Sequence, residues 1–498
     1  MAKLSALLSR VKIKSARLAD PDREVGALCT DSFGVSEGDA FICVPGTQHD
    51  GHDFICIAHD RGASLIIAER MTPYLEAHDE LDCVIVENTR LAAAQMWNEL
   101  CGRPSDRMIF VAVTGTNGKT STTYLMREIF KAAGYVTGLI GTVKCISGER
   151  TDIIGESGVN SMTTPPPEKL YPELARMADE GVEIVFLEAS SHALSQYRLD
   201  PIGFELAVFT NLTPEHLDYH GTMENYFASK RRLLELSRTA AVNLDDEWFK
   251  NLADGSIPTV TYSAKRDADF RAVDSSCRIG GESGISYTLV ENGAHYPITC
   301  PIPGEFTVYN TLAAATAARL FGIKPGIIQK ALAVCPQIPG RMERLEIPEK
   351  LGFEVYIDYA HTPDALERAL GTLRRRRGEG GRLIAVFGCG GDRDKSKRPV
   401  MGRIAAGLAD LVIITGDNSR TENPRSIIFD IVHGIPDRSR CRVIERREAA
   451  IRAALGEARP GDVVLLAGKG HEDYEIDSSG KHPFSEKNIV LDALGEKF

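Results

Sequence analysis

The alternation of hydrophobic and polar positions divides the chain into three stretches, and the first predicts a small α/β domain. Apolar runs at residues 40–44, 64–68 and 83–87 predict short strands, separated by loops rich in Gly, Asp and His. The Gly-Arg-Pro-Ser segment at 102–105 is typical of a linker. We therefore expect a first domain over residues 1–105.

The second stretch predicts a larger α/β domain over residues 106–337. It opens with a nearly continuous apolar run at 108–113, which is typical of a buried parallel strand. A glycine turn follows, and then a helical pattern over 120–133. Strands that alternate with helices indicate βαβ units. The remaining elements predicted in this stretch are strands at 184–188 and 205–211, helices at 168–180, 223–237 and 307–321, and short strands between 267 and 301.

The third stretch predicts a doubly wound α/β domain over residues 338–498. Its apolar runs are short and are separated by amphipathic segments long enough to cross back over a parallel sheet. The predicted strands are 354–358, 382–387, 411–415 and 463–467, and the predicted helices are 363–376, 424–433 and 447–458.

Composition narrows the class of protein. The 498 residues are 43% hydrophobic and 26% charged, which is ordinary globular usage and excludes a disordered or coiled-coil chain. The formal charge of −11 favours neither nucleic acid nor an anionic membrane as partner. No apolar run approaches the length of a membrane span, and the first residues lack a signal-peptide core. Because the eleven cysteines are scattered singly, we expect a reduced, cytoplasmic protein without a zinc site.

The sequence Thr-Gly-Thr-Asn-Gly-Lys-Thr-Ser at 114–121 predicts a phosphate-binding loop. It directly follows a predicted strand and opens a helix, so backbone N–H groups and the helix dipole can face an anion. Lys119 adds a full charge, and the Thr120 hydroxyl is suited to Mg²⁺. Val113 stands where the full pattern has Gly, but the Lys-Thr pair favours a nucleotide site over an ordinary glycine turn.

Four residues of the second stretch carry chemistry that the pattern alone leaves open. Glu188 ends a predicted strand, where it suits either Mg²⁺ or the solvated surface. His216 lies in a loop dense in His and acidic residues, which favours a metal or substrate role. Lys230, taken alone, is expected on the surface of a helix. Asn310 is either a helix-start residue or a partner for a base or ribose.

In the third stretch, charged loops follow four of the predicted strands. Charged groups at the carboxyl ends of neighbouring parallel strands are where such sheets bind ligands, so these loops predict one binding site. The arginine run at 374–377 ends a predicted helix and is expected to be solvated, with nucleic-acid binding as a weaker alternative. The loops are residues 358–363, 388–395, 417–420 and 468–472.

Together these segments resemble the Mur ligases of bacterial cell-wall synthesis over nearly the whole chain. The resemblance implies a three-domain α/β enzyme: an N-terminal domain for a uridine nucleotide, a central P-loop-type ATPase domain and a C-terminal Rossmann-like domain. It implies ATP and Mg²⁺ as cofactors, and we expect a monomer. The segments that carry the resemblance most specifically are 115–121, 188–198, 216–230, 358–363, 388–393, 417–420 and 468–472.

The resemblance also implies a role for individual residues. UDP would be held by Thr30, Ser32, Thr47, Gln48 and His49. ATP would be bound by Gly115, Thr116, Asn117, Gly118, Lys119, Thr120, Ser121, Asn310, Arg341, Asp358 and His361. Mg²⁺ would be held by Thr120, Glu188, His216 and a carbamylated Lys230, with Lys119, His216 and Lys230 as the catalytic set. The sugar-peptide would contact Thr163, Thr164, Ser190, Gln196 and Arg198. The incoming amino acid would contact Arg393, Asp417, Asn418, Ser419, Arg420, Gly468 and Glu472.

The loop at 417–420 bears on the choice of amino acid. Members of the family that add meso-diaminopimelate resemble one another in an Asp-Asn-Pro-Arg loop, whose Arg meets the distal carboxylate, and lysine-adding members lack that Arg. This chain reads Asp-Asn-Ser-Arg, so Arg420 favours diaminopimelate. Ser419 replaces a residue with a fixed φ, which loosens the loop and leaves lysine as the alternative.

The resemblance implies an ATP-dependent ligase that adds meso-2,6-diaminopimelate to UDP-N-acetylmuramoyl-L-alanyl-D-glutamate through an acyl phosphate, for peptidoglycan synthesis. A folylpolyglutamate-synthase-like ligase is disfavoured by the hundred residues ahead of the phosphate loop. The sister ligase that adds D-Ala-D-Ala is disfavoured by Arg420. A regulatory switch that hydrolyses ATP, and a simple binding module, are the alternatives from other classes.

Overall fold

The computed structural model describes residues 2–46, 49–152, 162–278 and 284–495. The chain forms two compact units. The first comprises Met1–Thr114, Tyr135–Ala207 and Ala228–Ala240, and the second comprises Gly115–Gly134, Val208–Phe227 and Ala241–Phe498. Among the described residues, no helix is both long and apolar enough to cross a bilayer.

The N-terminal part of the first unit is built on a five-stranded sheet. The strands of this part are β1 (Ala2–Lys3), β2 (Ile13–Arg17), β3 (Glu24–Val25), β4 (Leu28–Cys29), β5 (Ala40–Ile42), β6 (Leu65–Ala68) and β7 (Asp82–Val86), and its helices are α1 (Leu4–Leu7), α2 (Ile55–Asp60), α3 (Pro73–Ala77) and α4 (Thr89–Leu100). Strands β1 and β3 pair with each other, and the other five form the sheet. The sheet has the order β2-β7-β6-β5-β4, with β4 to β7 parallel. Apolar clusters lie on both of its faces, because successive side chains of a strand point to opposite sides. The three predicted strands are thus confirmed.

The first unit also contains a mixed sheet of order β11-β10-β9-β12-β8, in which β9, β12 and β8 are parallel. Every residue of β12 is buried, as its apolar run predicts. Strands β13 and β14 begin in the first unit and end in the second. The elements between residues 109 and 243 are β8 (Ile109–Thr114), α5 (Lys119–Ala132), β9 (Thr137–Ile140), β10 (Cys145–Ser147), β11 (Arg150–Asp152), α6 (Pro167–Asp179), β12 (Ile184–Glu188), α7 (Ser191–Ser195), β13 (Phe204–Phe209), α8 (Leu217–His220), α9 (Met223–Glu235) and β14 (Ser237–Asn243). Of these, α5 and α8 belong to the second unit, and α9 has residues in both.

The second unit continues with four strands in the order β15-β16-β17-β18 and two helices. The strand-like pattern between 267 and 301 corresponds to an antiparallel meander of β16, β17 and β18. The Ala-rich helix α10 packs on α5. The elements are β15 (Thr259–Ser263), β16 (Phe270–Arg278), β17 (Gly284–Glu291), β18 (Ala294–Cys300), α10 (Glu305–Leu320) and α11 (Pro325–Ala333).

The C-terminal part of the second unit is a doubly wound sheet. Its elements are β19 (Glu343–Arg344), β20 (Glu354–Asp358), α12 (Pro363–Arg374), β21 (Leu383–Phe387), α13 (Lys397–Leu408), β22 (Leu411–Ile414), α14 (Pro424–His433), β23 (Cys441–Val443), α15 (Arg447–Glu457), β24 (Val463–Ala467), β25 (Tyr474–Asp477), β26 (Gly480–Pro483) and α16 (Glu486–Gly495). The order is β19-β20-β24-β21-β22-β23, parallel from β20 to β23.

Helices cover both faces of this sheet, as the pattern of the third stretch predicts. Residues of α12, α13 and α14 pack on one face, and residues of α15 and α16 pack on the other. Because β20, β24, β21 and β22 are parallel neighbours, the loops that follow them lie at one edge of the sheet. These are the four charged loops that the sequence predicts to form one site.

Candidate active site

The phosphate loop between β8 and α5 takes a backbone conformation that glycine permits. Gly118 has φ +86°, in the left-handed region, and a Cβ there would lie 2.5 Å from Asn310 Oδ1. Gly115 has φ +149°, and a Cβ there would overlap Thr210 Oγ1. The two glycines therefore allow the close approach of neighbouring segments that shapes the loop.

The loop is tied to the segment that follows β13. Asn117 N–H donates to Asn211 Oδ1 at 3.0 Å, and Thr116 N–H donates to the Asn211 carbonyl at 2.7 Å. In return, Thr210 Oγ1 donates to the Asn117 carbonyl at 2.7 Å. Reciprocal bonds of this kind fix the loop before any ligand arrives, which reduces the ordering cost of binding.

Lys119 begins α5, where the helix dipole favours an anion. Its Nζ donates to the carbonyls of Gly115 and Thr116, at 2.9 and 2.8 Å. The Lys119 ammonium thus lies against the phosphate loop, where it is predicted to bind phosphate.

Glu215 is a functional candidate that the sequence analysis passed over in favour of its neighbour His216. His361 Nε2 lies 3.0 Å from Glu215 Oε1, and His216 Nε2 lies 3.7 Å from Oε2. Burial pushes the pKa of Glu215 upward, but the hydrogen bond from His361 and the charges of His216 and Lys119 outweigh it and hold the pKa well below its usual range. His361 Nδ1 also contacts the Tyr359 carbonyl at 2.8 Å. The largely buried Glu215 carboxylate therefore contacts both His216 and His361, and the charge of Lys119 stabilises its ionised form.

A cavity of about 410 Å³ opens beside the phosphate loop. Arg341 Nη2 donates to Thr120 Oγ1 at 3.0 Å, and its guanidinium stacks 4.6 Å from the centre of the Tyr359 ring. Burial raises the pKa of Asp358, which accepts from Met342 N–H at 2.7 Å. The cavity is lined by the predicted residues Asn117, Gly118, Ser121, Asn310, Arg341 and Asp358, together with Asp245, Lys265, Tyr309 and Arg368, which the sequence did not single out.

Two further features of this region depend on contacts that sequence does not show. Asn117 Nδ2 donates to Asp364 Oδ2 at 3.0 Å, although the two residues are 247 positions apart. Asn310 is buried in the second turn of α10, whose N-cap is Gly304, so it is not a helix-start residue. Its place beside Gly118 favours a ligand role over a capping role.

Glu188 lies at the end of β12 in the first unit and is fully buried. Its carboxylate accepts from Thr142 N–H and from Thr142 Oγ1, both at 2.9 Å. Thr142 Oγ1 also lies 3.1 Å from Thr163 Oγ1, and Thr164 Oγ1 donates to the Glu188 carbonyl at 2.6 Å. The predicted Mg²⁺ ligand and two predicted sugar-peptide contacts are therefore brought together.

The same cluster includes the other three predicted sugar-peptide contacts. Ser190 N–H donates to Thr164 Oγ1 at 3.1 Å. Arg198 Nη1 donates to the Thr164 carbonyl at 2.7 Å, and Arg198 Nη2 donates to Gln196 Oε1 at 2.6 Å. A buried guanidinium held in this way is suited to an anionic group.

Lys230 differs from the expectation drawn from its residue type. It lies in α9 and is only 1% exposed, so the reading as a surface lysine is wrong. A buried lysine is rare unless its charge is paired or chemically altered. Its modification and its role with Mg²⁺ stay predictions.

The loops at the carboxyl edge of the C-terminal sheet form a buried network of charged side chains. Asn418 Nδ2 donates to Glu472 Oε2 at 2.7 Å, while Lys469 Nζ donates to Asn418 Oδ1 at 2.9 Å. Burial tends to raise the pKa of Asp417, but the charges of Lys469 and Arg447 outweigh it and lower that pKa. Burial and the nearby Asp417 raise the pKa of Glu472.

Lys469 and Arg447 were not predicted as site residues, and both side chains are fully buried. Lys469 stands inside the predicted loop at 468–472, so its position was a usable signal. Arg447 donates to Glu486 Oε1 at 2.9 Å and to the Ala467 carbonyl at 2.7 Å. No local pattern marks Arg447, because its partner Glu486 is 39 residues away.

Arg393 and Arg420 are carried by adjacent loops. Arg420 Nη1 donates to the Gly391 carbonyl at 2.8 Å, and a Cβ at Gly390 would lie 2.9 Å from the same nitrogen. That Cβ would also lie 3.9 Å from Arg393 Cγ. Desolvation and the charge of Arg420 lower the pKa of Arg393. Two neighbouring guanidinium groups favour an anionic ligand between them.

Three of the predicted uridine contacts lie in the segments that follow two parallel strands of the N-terminal sheet. Thr30 and the buried Ser32 follow β4, and His49 follows β5. Asp31 accepts from Phe33 N–H at 3.0 Å, which fixes the turn at Ser32. The predicted contacts Thr47 and Gln48 lie outside the described residues.

Among the residues that the structure describes, no three His, Cys, Asp or Glu side chains are grouped as a metal site. The predicted Mg²⁺ donors Glu188 and Thr120 nevertheless supply oxygen atoms, which is the chemistry that Mg²⁺ prefers. These two side chains, which lie in different units, fit the ion in kind, whereas His216 and the unmodified Lys230 offer nitrogen; the ligand assignment stays a prediction.

In the comparison with known proteins, each of the three stretches matches a family model. The model "Mur ligase family, catalytic domain" matches residues 24–98, "Mur ligase middle domain" matches 113–318, and "Mur ligase, glutamate ligase domain" matches 340–470.

Relatives and solved structures agree with these matches. The UDP-N-acetylmuramoyl-L-alanyl-D-glutamate--2,6-diaminopimelate ligases of Synechococcus elongatus and Aquifex aeolicus are 42% and 40% identical; the alignments cover 96% and 95% of this chain and 95% and 94% of those proteins. A solved structure of a ligase with the same name is 30% identical, with a TM-score of 0.65, and covers 100% of this chain and 99% of its own. MurF from Thermotoga maritima in complex with ADP shares the fold at 20% identity, with a TM-score of 0.61 over 95% of this chain and 98% of its own. The predicted resemblance and fold class are confirmed, and the chain belongs to the Mur ligase family.

Proposed function

We propose that the chain is an ATP-dependent amide ligase that joins meso-2,6-diaminopimelate to UDP-N-acetylmuramoyl-L-alanyl-D-glutamate. One observation carries the proposal: a preformed phosphate loop with Lys119 is accompanied, in the same unit, by a pocket of paired charges. Arg393 and Arg420 supply cations there, and Asp417 and Glu472 supply carboxylates. Such a pocket complements an amino-acid group that bears both an ammonium and a carboxylate. The names of the two relatives above support the same substrates.

In this proposal the three predicted domains divide the work within a monomer. Residues 1–105 hold the UDP group, with Thr30, Ser32, Thr47, Gln48 and His49 as contacts. Residues 106–337 bind ATP and the sugar-peptide, and residues 338–498 bind the amino acid. The cluster around Thr164 and Arg198 is the proposed contact with the sugar-peptide.

The reaction begins with a carboxylate, which is a poor electrophile. The γ-carboxylate of the D-glutamyl residue attacks the γ-phosphorus of ATP, the bond to the bridging oxygen breaks, and ADP leaves. Lys119 and the N–H groups that begin α5 offset the charge that develops on the phosphoryl oxygens. When bound, Mg²⁺ supplies further neutralisation of phosphate charge, and Thr120, Glu188, His216 and Lys230 are the residues proposed to hold it.

The acyl phosphate is then consumed by the amino acid. Its neutral amine attacks the acyl carbon, phosphate leaves, and the nitrogen loses a proton as the amide forms. Asp417, Glu472, Arg393 and Arg420 orient the amino acid so that its reacting amine faces the acyl group. In this proposal, the bound substrates exclude water from the acyl group, which suppresses hydrolysis of the activated acid.

The test is ADP release by the full chain with ATP, the UDP-sugar dipeptide and a panel of diamino acids. Diaminopimelate should support release, and lysine should support it weakly. Lys119→Ala should lower kcat by about 100- to 1000-fold while leaving the fold intact, because one transition-state charge partner is lost. Lys131→Ala, an exposed change in the last turn of the same helix, is the matched control. ADP release that ignores the amino acid would indicate a hydrolytic switch, and a preference for lysine would reassign the substrate.

A further inference from the structure

The two loops that carry Arg393 and Arg420 are joined by the side chain of Asp392. Thr421 Oγ1 donates to Asp392 Oδ1 at 2.7 Å, and Thr421 N–H donates to Asp392 Oδ2 at 3.1 Å. The carboxylate lies on an exposed residue, where an ordinary polar side chain is free to point into solvent. Instead, both of its oxygens are committed to the neighbouring loop.

In a second contact between the loops, Asp392 is the donor. Asp392 N–H donates to Glu422 Oε1 at 2.6 Å, and the same Glu422 oxygen accepts from Arg398 Nη2 at 2.9 Å. Arg398 is 1% exposed and also donates to Asp430 Oδ2 at 2.9 Å. Glu422 therefore connects the backbone of Asp392 to the buried guanidinium of Arg398, which also pairs with Asp430. Asp392 is the residue at which the two loops contact each other.

The backbone at this junction is strained. Asp392 and Arg420 both have φ +52°, a conformation that non-glycine residues rarely adopt. A Cβ at Gly391 would overlap the Ser419 carbonyl, so the two loops approach as closely as their backbones allow. Strain and close approach at one place need contacts that hold the arrangement.

Repulsion between the Arg393 and Arg420 cations explains why the two loops need such contacts. Arg420 Nη1 and Arg393 Cγ both lie near Gly390, and the charge of Arg420 adds to burial in lowering the pKa of Arg393, so the two cations repel each other. Repulsion between like charges drives the loops apart unless an anion lies between them or the loops are tied. The bonds that Thr421 donates to Asp392 add a side-chain tie to the backbone bond from Gly391 N–H to the Asn418 carbonyl, at 2.9 Å.

We propose that Asp392 is a positioning residue, whose carboxylate keeps Arg393 and Arg420 side by side for an anionic group of the incoming amino acid. The inference rests on the proposed function. Asp392 itself does not touch the ligand. It lowers the ordering cost of binding by holding the two loops in the binding geometry beforehand.

The test compares Asp392→Asn with the control Asp437→Asn in the full chain. Asparagine tolerates the left-handed φ but replaces one acceptor oxygen with a donor. KM for diaminopimelate should rise about fivefold in D392N, with kcat and KM for ATP within about twofold of the wild type. Asp437 is also an exposed aspartate, and its carboxylate accepts from Ser439 N–H and Ser439 Oγ, both at 2.9 Å, outside the four loops, so D437N should leave all three constants unchanged.

Thr421 gives a second, independent arm. Thr421→Val removes the hydroxyl but keeps the backbone N–H, and should raise KM for diaminopimelate about threefold; Thr421→Ser should restore it. Because the two residues share a bond, the double variant D392N/T421V should be no worse than D392N alone.

The outcomes separate the two claims. If the wild type releases ADP with diaminopimelate but D392N leaves its KM unchanged, or raises KM for ATP in step, the positioning role is overturned and the proposed function stands. If the wild type shows no release that depends on an amino acid, the proposed function fails, and the positioning role fails with it.

Discussion

The phosphate loop and the proposed amino-acid pocket, around Asp417 and Glu472, hold charged groups by different means. The loop uses backbone: Gly115 and Gly118 bring N–H groups close to the ligand position, and Lys119 is the one side-chain charge in residues 115–121. The pocket uses side chains: Lys469 and Arg447 are fully buried and face the carboxylates of Asp417 and Glu472.

The difference matches what each site has to recognise. A phosphate chain is a row of equivalent oxygens, so regularly spaced N–H groups suffice and shape is the constraint. An amino acid has to be told from close analogues, which requires polar groups that are unsatisfied when the wrong ligand enters. The loop should therefore be sensitive to added volume, whereas the pocket should be sensitive to changes in charge.

The largest effect is expected from removing Arg447. Arg447→Met leaves Glu486 buried without its partner and should lower the free energy of unfolding by about 3–5 kcal/mol. Urea unfolding followed by circular dichroism measures this change. Arg425→Met is the matched control, because Arg425 pairs with Glu445 at the exposed surface and its loss should cost less than about 1 kcal/mol. Equal losses in the two variants would mean that burial does not distinguish them.

Next in size is a change of volume at the phosphate loop. Gly118→Ala places a methyl group 2.5 Å from Asn310 Oδ1 and should lower kcat/KM for ATP about 100-fold, because the loop has to shift. Gly134→Ala is the control: Gly134 has a similar φ of +97° but open space around its Cβ. That variant should lose about 1–2 kcal/mol of stability and keep its activity. Initial rates at varied ATP would contradict the idea if both variants behaved alike.

A smaller effect concerns pH and the charge of Glu472. Its pKa is raised above the ordinary 4.5 by burial and by Asp417, so it takes up a proton at a higher pH than an exposed glutamate does. As pH falls through that raised pKa, the pocket loses a negative charge and binds an ammonium less well. We expect kcat/KM for diaminopimelate to fall on the acidic side while KM for ATP stays constant. Glu472→Gln should lower kcat/KM about tenfold and flatten this limb; a limb that persists in the variant would assign it to another group.

The smallest effect is expected at Ser419, where the backbone rather than charge is altered. Ser419→Pro fixes φ and reduces the freedom of the unliganded loop, a gain of about 0.4–1 kcal/mol where the conformation is compatible. KM for diaminopimelate should then fall by about two- to fivefold, with Ser419→Ala unchanged. Loss of activity in the proline variant would show that residue 419 adopts another φ.

The sequence predicts the loops well because their signals are local. A buried strand, a run of glycines and a charged residue at the strand end are all contained in a few neighbouring positions. The loops after β8, β21, β22 and β24 were located in this way, and so was the common edge of the C-terminal sheet.

Burial of individual charges was not predictable, because it depends on distant partners. The arginine run at 374–377 was expected to be solvated, yet the Arg376 side chain is 4% exposed, forms two bonds to Glu354 and lies 5.6 Å from the centre of the Tyr356 ring. Lys230 was wrongly expected at the surface for the same reason. Residue type gives the average exposure of a lysine or arginine, and the fold decides the individual case.

The position of the Lys119 ammonium affects how strongly small anions compete with a triphosphate for this loop. Two carbonyl oxygens of its own turn already solvate it, so an arriving anion exchanges partners instead of meeting a bare charge. A single chloride gains little from such an exchange, whereas a triphosphate offers many oxygens at once. Discrimination against abundant small ions is thus a property of the resting turn.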